Sequence, residues 1–397
     1  MLAENSSIPL PVLRSDPTAV PEKYTRLRGE QPVCPASFVT GDPAYLVTSH
    51  EDLKTVLSDE RFSRGAMCAA DAPRCQAVRP HPDTILNMDA PRHTHIRKLA
   101  AEAFTPRQVE KMRPRIEQIV VELLDDMAAM APPVDLIAAF CLPFPLRIIC
   151  ELLGIPFEDR AKFLDTVDVI MTFNSTAAQL GQAYVDLRGY FVDLITSKRE
   201  NPGDDFLTVL ISRRDKKGQL TESELLSLCT ILMVAGHETG VTVITNSAFN
   251  LIRHPDQLAA LRADPALMPG AVEEMLRVGI PGISPYPRLA TSDVKLGDVV
   301  IPKGSAVVVN YETALRDPAV FDDPDRFDIR RQPVSQVFFG HGPHFCLGST
   351  ISRVELQIGI RHLFERFPSL ALAIPPEDLR WKDFATLGNF KEFPVTW

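Results

Sequence analysis

Positive charge is in short supply in this sequence. Its 397 residues carry 42 Lys and Arg against 51 Asp and Glu, a formal net charge of −9. Nucleic-acid binding favours a basic footprint, so that class of partner is not expected. Paired cysteines are missing as well. The seven Cys (34, 68, 75, 141, 150, 229 and 346) are odd in number, scattered and without a C-x-x-C. That excludes a small disulfide scaffold and fits reduced, buried thiols. Long apolar runs are also absent. Prolines break Leu136 to Leu146, and Leu225 to Gly236 is short and followed by His-Glu. Neither reaches the ~18–20 residues of a spanning helix. Met1 to Tyr24 has no basic n-region and no apolar h-region. A soluble, cytoplasmic protein with no membrane anchor is the expectation. No repeat, low-complexity tract or convincing linker divides the chain.

What the sequence does have is a large core and frequent helix stops. It is 45% apolar against 23% charged, as in ordinary globular proteins. Its 34 prolines exceed the usual ~5%. At ~150 residues per domain the length allows two or three domains or one large one. Residues 1–30 are Pro-rich and polar and read as an arm, with 31–397 as the body. Ser37 to Thr48 predicts two short strands around Gly41-Asp42-Pro43, and His50 to Ser58 a helix. Ser63 to Leu86 reads as a long loop, which in a compact domain is usually functional. Thr105-Pro106 opens a helix to about Met130. Thr221-Glu222-Ser223-Glu224 is a capping box opening a helix to His254-Pro255. At about 32 residues it spans ~48 Å. Its apolar surroundings predict a buried central helix, yet its middle reads Ala235-Gly236-His237-Glu238-Thr239-Gly240. Two glycines and a carboxylate there break a local rule inside a strong element, as functional sites do. A helix over Met268 to Val278, strands over Asp298 to Ile301 and Ala306 to Val309, a turn-rich stretch from Leu315 to Pro333 and a helix over Ser349 to Phe367 follow. The fold class is mainly α with small β-sheets.

The most informative segment is Phe338-Phe339-Gly340-His341-Gly342-Pro343-His344-Phe345-Cys346-Leu347-Gly348. Three glycines allow tight turns and close approach around Cys346. A long helix begins just after it, and its N-terminal dipole and free N–H groups favour a thiolate there, lowering its pKa. His341, His344 and Cys346 could instead bind zinc, but their spacing is compressed and no fourth ligand is evident. A cysteine-nucleophile hydrolase lacks an identifiable triad.

This loop resembles that of the cytochrome P450 family, Phe-x-x-Gly-x-x-x-Cys-x-Gly, filled in order by Phe339, Gly342, Cys346 and Gly348. The resemblance runs from about residue 35 to the C-terminus and is nearest to soluble bacterial members. It implies a single large fold around haem b, with Cys346 as the iron's axial thiolate. Such a ligand pushes electron density onto iron and favours O–O cleavage. Phe339 and Gly340 then belong to the cofactor cradle, with N–H groups at Leu347 and Gly348 tuning the sulfur. Glu274-Met275-Leu276-Arg277 matches the family's E-x-x-R. With Arg326 of Pro324-Asp325-Arg326-Phe327, it is assigned a structural role beneath the loop. His93 and Arg97, one helical turn apart, together with Arg288 and His344 match the family's propionate contacts.

The resemblance also assigns roles along the central helix, which the family loosens where Thr239 sits. Ala235 lies against the haem, Thr239 donates a hydrogen bond to dioxygen, and Glu238 relays protons. His237 receives no role as a ligand. Gly240 stands where many relatives carry a second Thr, Leu315 replaces a frequent Asn, and Pro343 is unusual. Ile231, Val234, Ala235, Ser284, Tyr286, Asn174 and Asn389 are expected around the substrate. They suit a mid-sized, largely apolar secondary metabolite with a few polar handles.

The implied activity is O2-dependent hydroxylation or epoxidation. Oxidative ring closure or aryl coupling by the same chemistry is an alternative, and a non-catalytic haem sensor or carrier is another class. The chain has no flavin or iron–sulfur motif, so electrons from NAD(P)H are expected through a ferredoxin reductase and a ferredoxin. Arg92, Arg97, Lys98, Arg107, Lys111 and Arg113 outnumber Glu102 and Glu110. With Arg353 and Arg361 they suggest a basic docking patch.

Overall fold

A computed structural model describes residues 7–13, 16, 19–279, 286–332, 334, 337–382 and 384–397. The chain is 56% helical with small sheets, so helix packing sets the framework. The longest helix, Glu222–Arg253, starts at the expected capping box: Thr221 accepts from the Glu224 N–H while the Glu224 carboxylate accepts from the Thr221 N–H. This central helix is apolar on nearly every side because other elements cover it from nearly every side. Leu225, Cys229, Met233 and Ile244 are among its fully enclosed residues. Its best window is long and apolar enough to cross a membrane, but 72% of that window is buried within the protein.

The central helix is continuous from Glu222 to Arg253, so any loosening at Thr239 leaves its hydrogen-bonded turns uninterrupted. Its glycines also serve helix packing. A Cβ on Gly240 would lie 2.6 Å from Pro145 Cβ, and one on Gly236 would lie 3.0 Å from Ile149 Cδ1. Both contacts belong to the helix Pro143–Leu153, which therefore approaches the central helix more closely than larger residues allow. The C-terminal helix Ser349–Arg366 is seated the same way, with Gly359 against Phe144.

The strands form a six-stranded sheet in the order Ile8–Pro9, Val33–Ser37, Pro43–Val47, Ala306–Val309, Arg288–Ala290, Phe62–Ser63. Pro43–Val47 pairs antiparallel with Val33–Ser37 and parallel with Ala306–Val309, so distant parts of the chain meet. The strand reading of Ser37 to Thr48 is thus shifted: Ser37 ends one strand, and Phe38 to Asp42 is the turn between the two. The arm lies on the body. Ile8–Pro9 adds to the sheet edge, and Tyr24 and Leu27 are buried under it. A second sheet joins Ala371–Leu372, Pro394–Thr396 and Val134–Asp135, and Val294–Leu296 pairs with Val299–Ile301. From Ser63 to Leu86 the chain is largely loop, carrying a short 3₁₀ turn at Gly65–Cys68 and entering another at Ile85.

Candidate active site

The cysteine loop is built by backbone geometry that only glycine accepts easily. Gly340 and Gly342 have φ of +82° and +69°, and a Cβ on Gly342 would meet the Leu57 carbonyl at 2.7 Å. The Cys346 N–H donates to the Phe339 carbonyl at 2.8 Å, closing the loop on itself. Arg353 stacks over Phe339, 4.6 Å from the ring centroid, and is held by Glu273. Gly348 caps the following helix, Ser349–Arg366. Cys346 is exposed, yet protein around its sulfur pushes the thiol up from its usual range. The Gly348 N–H, Arg97 and Arg353 pull it part of the way back. The expected lowering by the helix terminus is therefore outweighed by burial. A metal bound to the sulfur would favour the thiolate at this position.

Beside this loop four cation-capable side chains converge. The rings of His93 and His344 lie 4.0 Å apart. Arg97 donates to the Phe345 carbonyl, and Arg288 Nη1 donates to the Phe62 carbonyl at 3.3 Å. Burial and neighbours of like charge push His344 down to about 2 and Arg288 down to about 10. Buried His93 Nε2 and Arg288 Nε have no hydrogen-bond partner. None of the four forms an ion pair among the described residues. Nearby Asp89 is taken by Ser63 and by the N–H groups of Arg64 and Gly65. Two arginines and two imidazoles with orphaned donors, and no ion pair among them, fit a bound dianion, and a thiol beside them fits a metal. Haem, with its two propionates and iron, meets both requirements.

Support beneath the loop differs from expectation in one residue. Arg277 is fully buried and grips Glu274 bidentately, Nε to Oε2 at 2.7 Å and Nη2 to Oε1 at 2.9 Å. Its remaining donors reach the carbonyls of Leu315, Pro324 and Arg326. The second arginine on Glu274 is Arg331, with Nε 3.2 Å from Oε2, not Arg326. The Arg326 side chain is 61% exposed and lies 3.8 Å from Asp328. Arg326 contributes its backbone carbonyl, not its charge. A charged Arg-Arg pair followed by Gln gave no local signal to separate the two.

Above this site the central helix places Glu238 and Thr239. Thr239 is exposed, and its hydroxyl donates to the Ala235 carbonyl at 2.6 Å. Glu238 is buried, and its carboxyl is pushed up by desolvation, offset in part by Lys382. Lys382 is itself paired with Asp168 at 3.1 Å, and both are solvent-accessible. His237 is buried with both ring nitrogens unpaired and is pushed down to about 4, so it is neutral at pH 7.

A cavity of about 390 Å³ adjoins the helix, within the range of small-molecule pockets. Ile231, Val234, Tyr286 and Thr386 line it, together with the loop residues Val78 to His81. Three expected residues are not among those lining this cavity. Asn174 is exposed and lies away from the cavity. Asn389 is buried, but its amide oxygen accepts from the Phe390 N–H within its own turn. Ala235 is half-buried and outside the lining. Ser284 falls outside the described residues. Arg64 and Arg79, within the loop Ser63 to Leu86 read as functional, also line the cavity, and so does Arg188, which sequence reasoning missed. They come from two distant segments, so no local pattern joins them.

The basic patch is largely neutralised. Arg92 pairs with Asp83 and Glu224, Arg113 with Glu110, Arg353 with Glu273, and Arg361 with Glu117. Lys98, Arg107 and Lys111 remain exposed and form no ion pair among the described residues.

Comparison with known proteins agrees with this geometry. The family model described as cytochrome P450 matches residues 149–384. The chain is 43% identical to cytochrome P450 107B1 of Saccharopolyspora erythraea, covering 94% of each. It is also 43% identical to the cytochrome P450 monooxygenase PikC of Streptomyces venezuelae, covering 94% of this chain and 90% of that one. Among solved structures it resembles the putative thioether synthase SgvP, involved in a tailoring step of griseoviridin, with TM-score 0.95 and 40% identity over 99% of this chain and 100% of that one. The cysteine loop, the cationic cradle beside it and likeness over nearly the whole length lead to one conclusion: the chain belongs to the cytochrome P450 family and is a haem-thiolate oxidoreductase of the kind that serves bacterial natural-product pathways.

Proposed function

We propose that this enzyme hydroxylates or epoxidises a mid-sized organic molecule of secondary metabolism held in the 390 Å³ cavity beside the central helix. The observation that carries the reading is the convergence of His93, Arg97, Arg288 and His344, without ion pairs, next to Cys346. These four residues would hold the haem propionates, and Cys346 the iron. Bound there, haem supplies reductive activation of O2 and oxygen transfer to carbon. Phe339, Gly340 and Gly348 would frame the sulfur side.

The chain's own contribution to the chemistry is proton handling. The Glu238 carboxyl, raised by burial, holds its proton closer to neutral pH than an exposed Glu does, which suits exchange at its oxygens. The Lys382–Asp168 pair, open to solvent, lies close enough for its charges to act on Glu238. Thr239 carries a hydroxyl that leaves the Ala235 carbonyl by one χ1 rotation and then donates toward the open side of the helix. Ile231 and Val234 exclude water from the apolar end of the cavity. A second outcome, bond formation without net oxygen insertion, is supported by the likeness to the thioether synthase SgvP. The polar groups that hold substrate and proton are the same in both.

Electrons are proposed to come from NAD(P)H through a ferredoxin reductase and an acidic ferredoxin. That partner would dock where Lys98, Arg107 and Lys111 are exposed. A cytoplasmic location suits such partners.

The test is the absorption spectrum of the reduced, CO-treated, haem-loaded chain. The strongly red-shifted Soret band of a thiolate-ligated haem is expected, and Cys346→His should abolish it while haem is retained. Folded, haem-loaded protein without the shifted band overturns the reading.

A further inference from the structure

The cavity lining is unbalanced in charge. Arg64, Arg79 and Arg188 contribute to it, with His81 beside them, and no Asp or Glu among the described residues does. This is notable in a chain whose overall charge is −9. Arg64 is 3% exposed. Its guanidinium donates to the carbonyls of Leu86 and Pro287 and to the side-chain amide oxygen of Asn87. It also lies 5.4 Å from the centre of the Tyr286 ring. Its hydrogen bonds are therefore satisfied by dipoles, and no carboxylate within ion-pair distance meets its charge. Arg79 donates to the carbonyls of Ala72 and Ala70, again without an acid. Arg188, on the helix Ala177–Glu200, is exposed and has no hydrogen bond or ion pair among the described residues. Asp89, whose charge reaches Arg64, accepts from the Ser63 hydroxyl and the Arg64 and Gly65 N–H groups, and Asp83 is bound by Arg92 and by the Ser223 hydroxyl.

The lining also has an apolar share, with Leu226, Ile231 and Val234 from the central helix and Ile170 and Met171, beside the hydroxyls of Ser223, Ser227 and Thr230. Burying a guanidinium without a counter-charge is costly, and an incoming anion recovers part of that cost. We infer that the substrate is an amphipathic organic acid, its anionic group, a carboxylate, held by Arg79 and Arg188 in the field of Arg64 and its apolar body laid against Ile231 and Val234. This rests on the cavity being the substrate pocket of the proposed oxygenase. It replaces an apolar molecule with a few polar handles by one with an obligatory negative end. A hydrogen bond to a charged group contributes enough that each of the two arginines should account for roughly tenfold in affinity.

The test uses the haem-loaded enzyme and four matched pairs of free acid and methyl ester: dodecanoic, hexadecanoic, abietic and indole-3-acetic. Binding is followed by the Soret change and, independently, by equilibrium dialysis at low and high salt. The expected result is at least one acid that binds tenfold or more tightly than its ester. Added salt should weaken that preference, and Arg79→Glu combined with Arg188→Glu should remove it, with the ester's affinity little changed. The inference is overturned if esters bind as tightly as their acids, if no acid binds, or if the preference survives in the double variant. A normal CO spectrum alongside any of these leaves the oxygenase reading standing, whereas loss of the shifted band removes both.

Discussion

Exchanging Arg331 and, separately, Arg326 for Met tests which arginine completes the buried network under the cysteine loop. Glu274 is 2% exposed and receives two Arg277 nitrogens at 2.7 and 2.9 Å. Arg331 adds a contact at 3.2 Å and donates to the carbonyls of Asp323 and Arg326. Breaking a fully buried ion pair costs about 3–5 kcal/mol. Arg331 is partly open to solvent at 15% exposure, and Arg277 remains on Glu274, so Arg331→Met should cost about 2–3 kcal/mol. Arg326 is 61% exposed and 3.8 Å from Asp328, so Arg326→Met should stay within about 0.5 kcal/mol. Urea unfolding of the haem-loaded protein, followed by far-UV circular dichroism and by loss of the Soret band, measures both. Because the network supports the loop that carries Cys346, Arg331→Met should also speed haem loss. Equal costs for the two variants, or a larger cost for Arg326→Met, would refute the assignment.

Three further outcomes follow from the structure. Thr239→Ala should keep haem and substrate binding but divert electrons to peroxide, cutting product per NAD(P)H by roughly tenfold or more; unchanged coupling removes Thr239 from the proton path. Glu355, buried without a compensating charge, is pushed up to about 8 from 4.5. The folded state therefore holds this proton after the unfolded chain has lost it, and stability falls as pH rises from about 4.5 to about 8, then levels off. Glu355→Gln should flatten that decline and stabilise the protein by up to about 4 kcal/mol at pH 8; an identical slope in both proteins would exclude Glu355 as its source. Charge reversal at Lys98, Arg107 and Lys111 together should slow ferredoxin-supported reduction about tenfold at low ionic strength. Stopped-flow reduction under CO reads this, and rates independent of salt in the unaltered enzyme would argue against docking there.

Much of the helical framework was legible because its signals are local. Thr221 and Glu224 satisfy one another's backbone within a single turn, and Pro255 stops the same helix by geometry it carries itself. Thr105 with Pro106, and His50 to Ser58, follow the same logic. Boundaries slipped where partners are distant. Ser37 became a strand end because Pro43–Val47 finds Ala306–Val309 as its second neighbour. Gly236 and Gly240 carry a packing role the sequence did not reveal, because a glycine inside a helix has two physical uses, loosening the backbone or admitting a neighbour. The neighbour, Pro145 and Ile149, lies about ninety residues away.

For the site, the resemblance to the family singled out Cys346 with its glycines, His93 with Arg97, and Glu238 with Thr239 from short motifs. Each is a chemical demand met within one loop or one helical turn. Tertiary structure decided the rest. It chose Arg331 over Arg326, turned Asn174 and Asn389 away from the cavity, and raised the Cys346 thiol that the helix terminus alone would have lowered. It also assembled Arg64, Arg79 and Arg188 around one space. Charge interactions and burial act through distance in space, which sequence separation does not encode. The chemistry this protein performs was therefore written along the chain, whereas the molecule it acts on is set by where the chain folds back on itself.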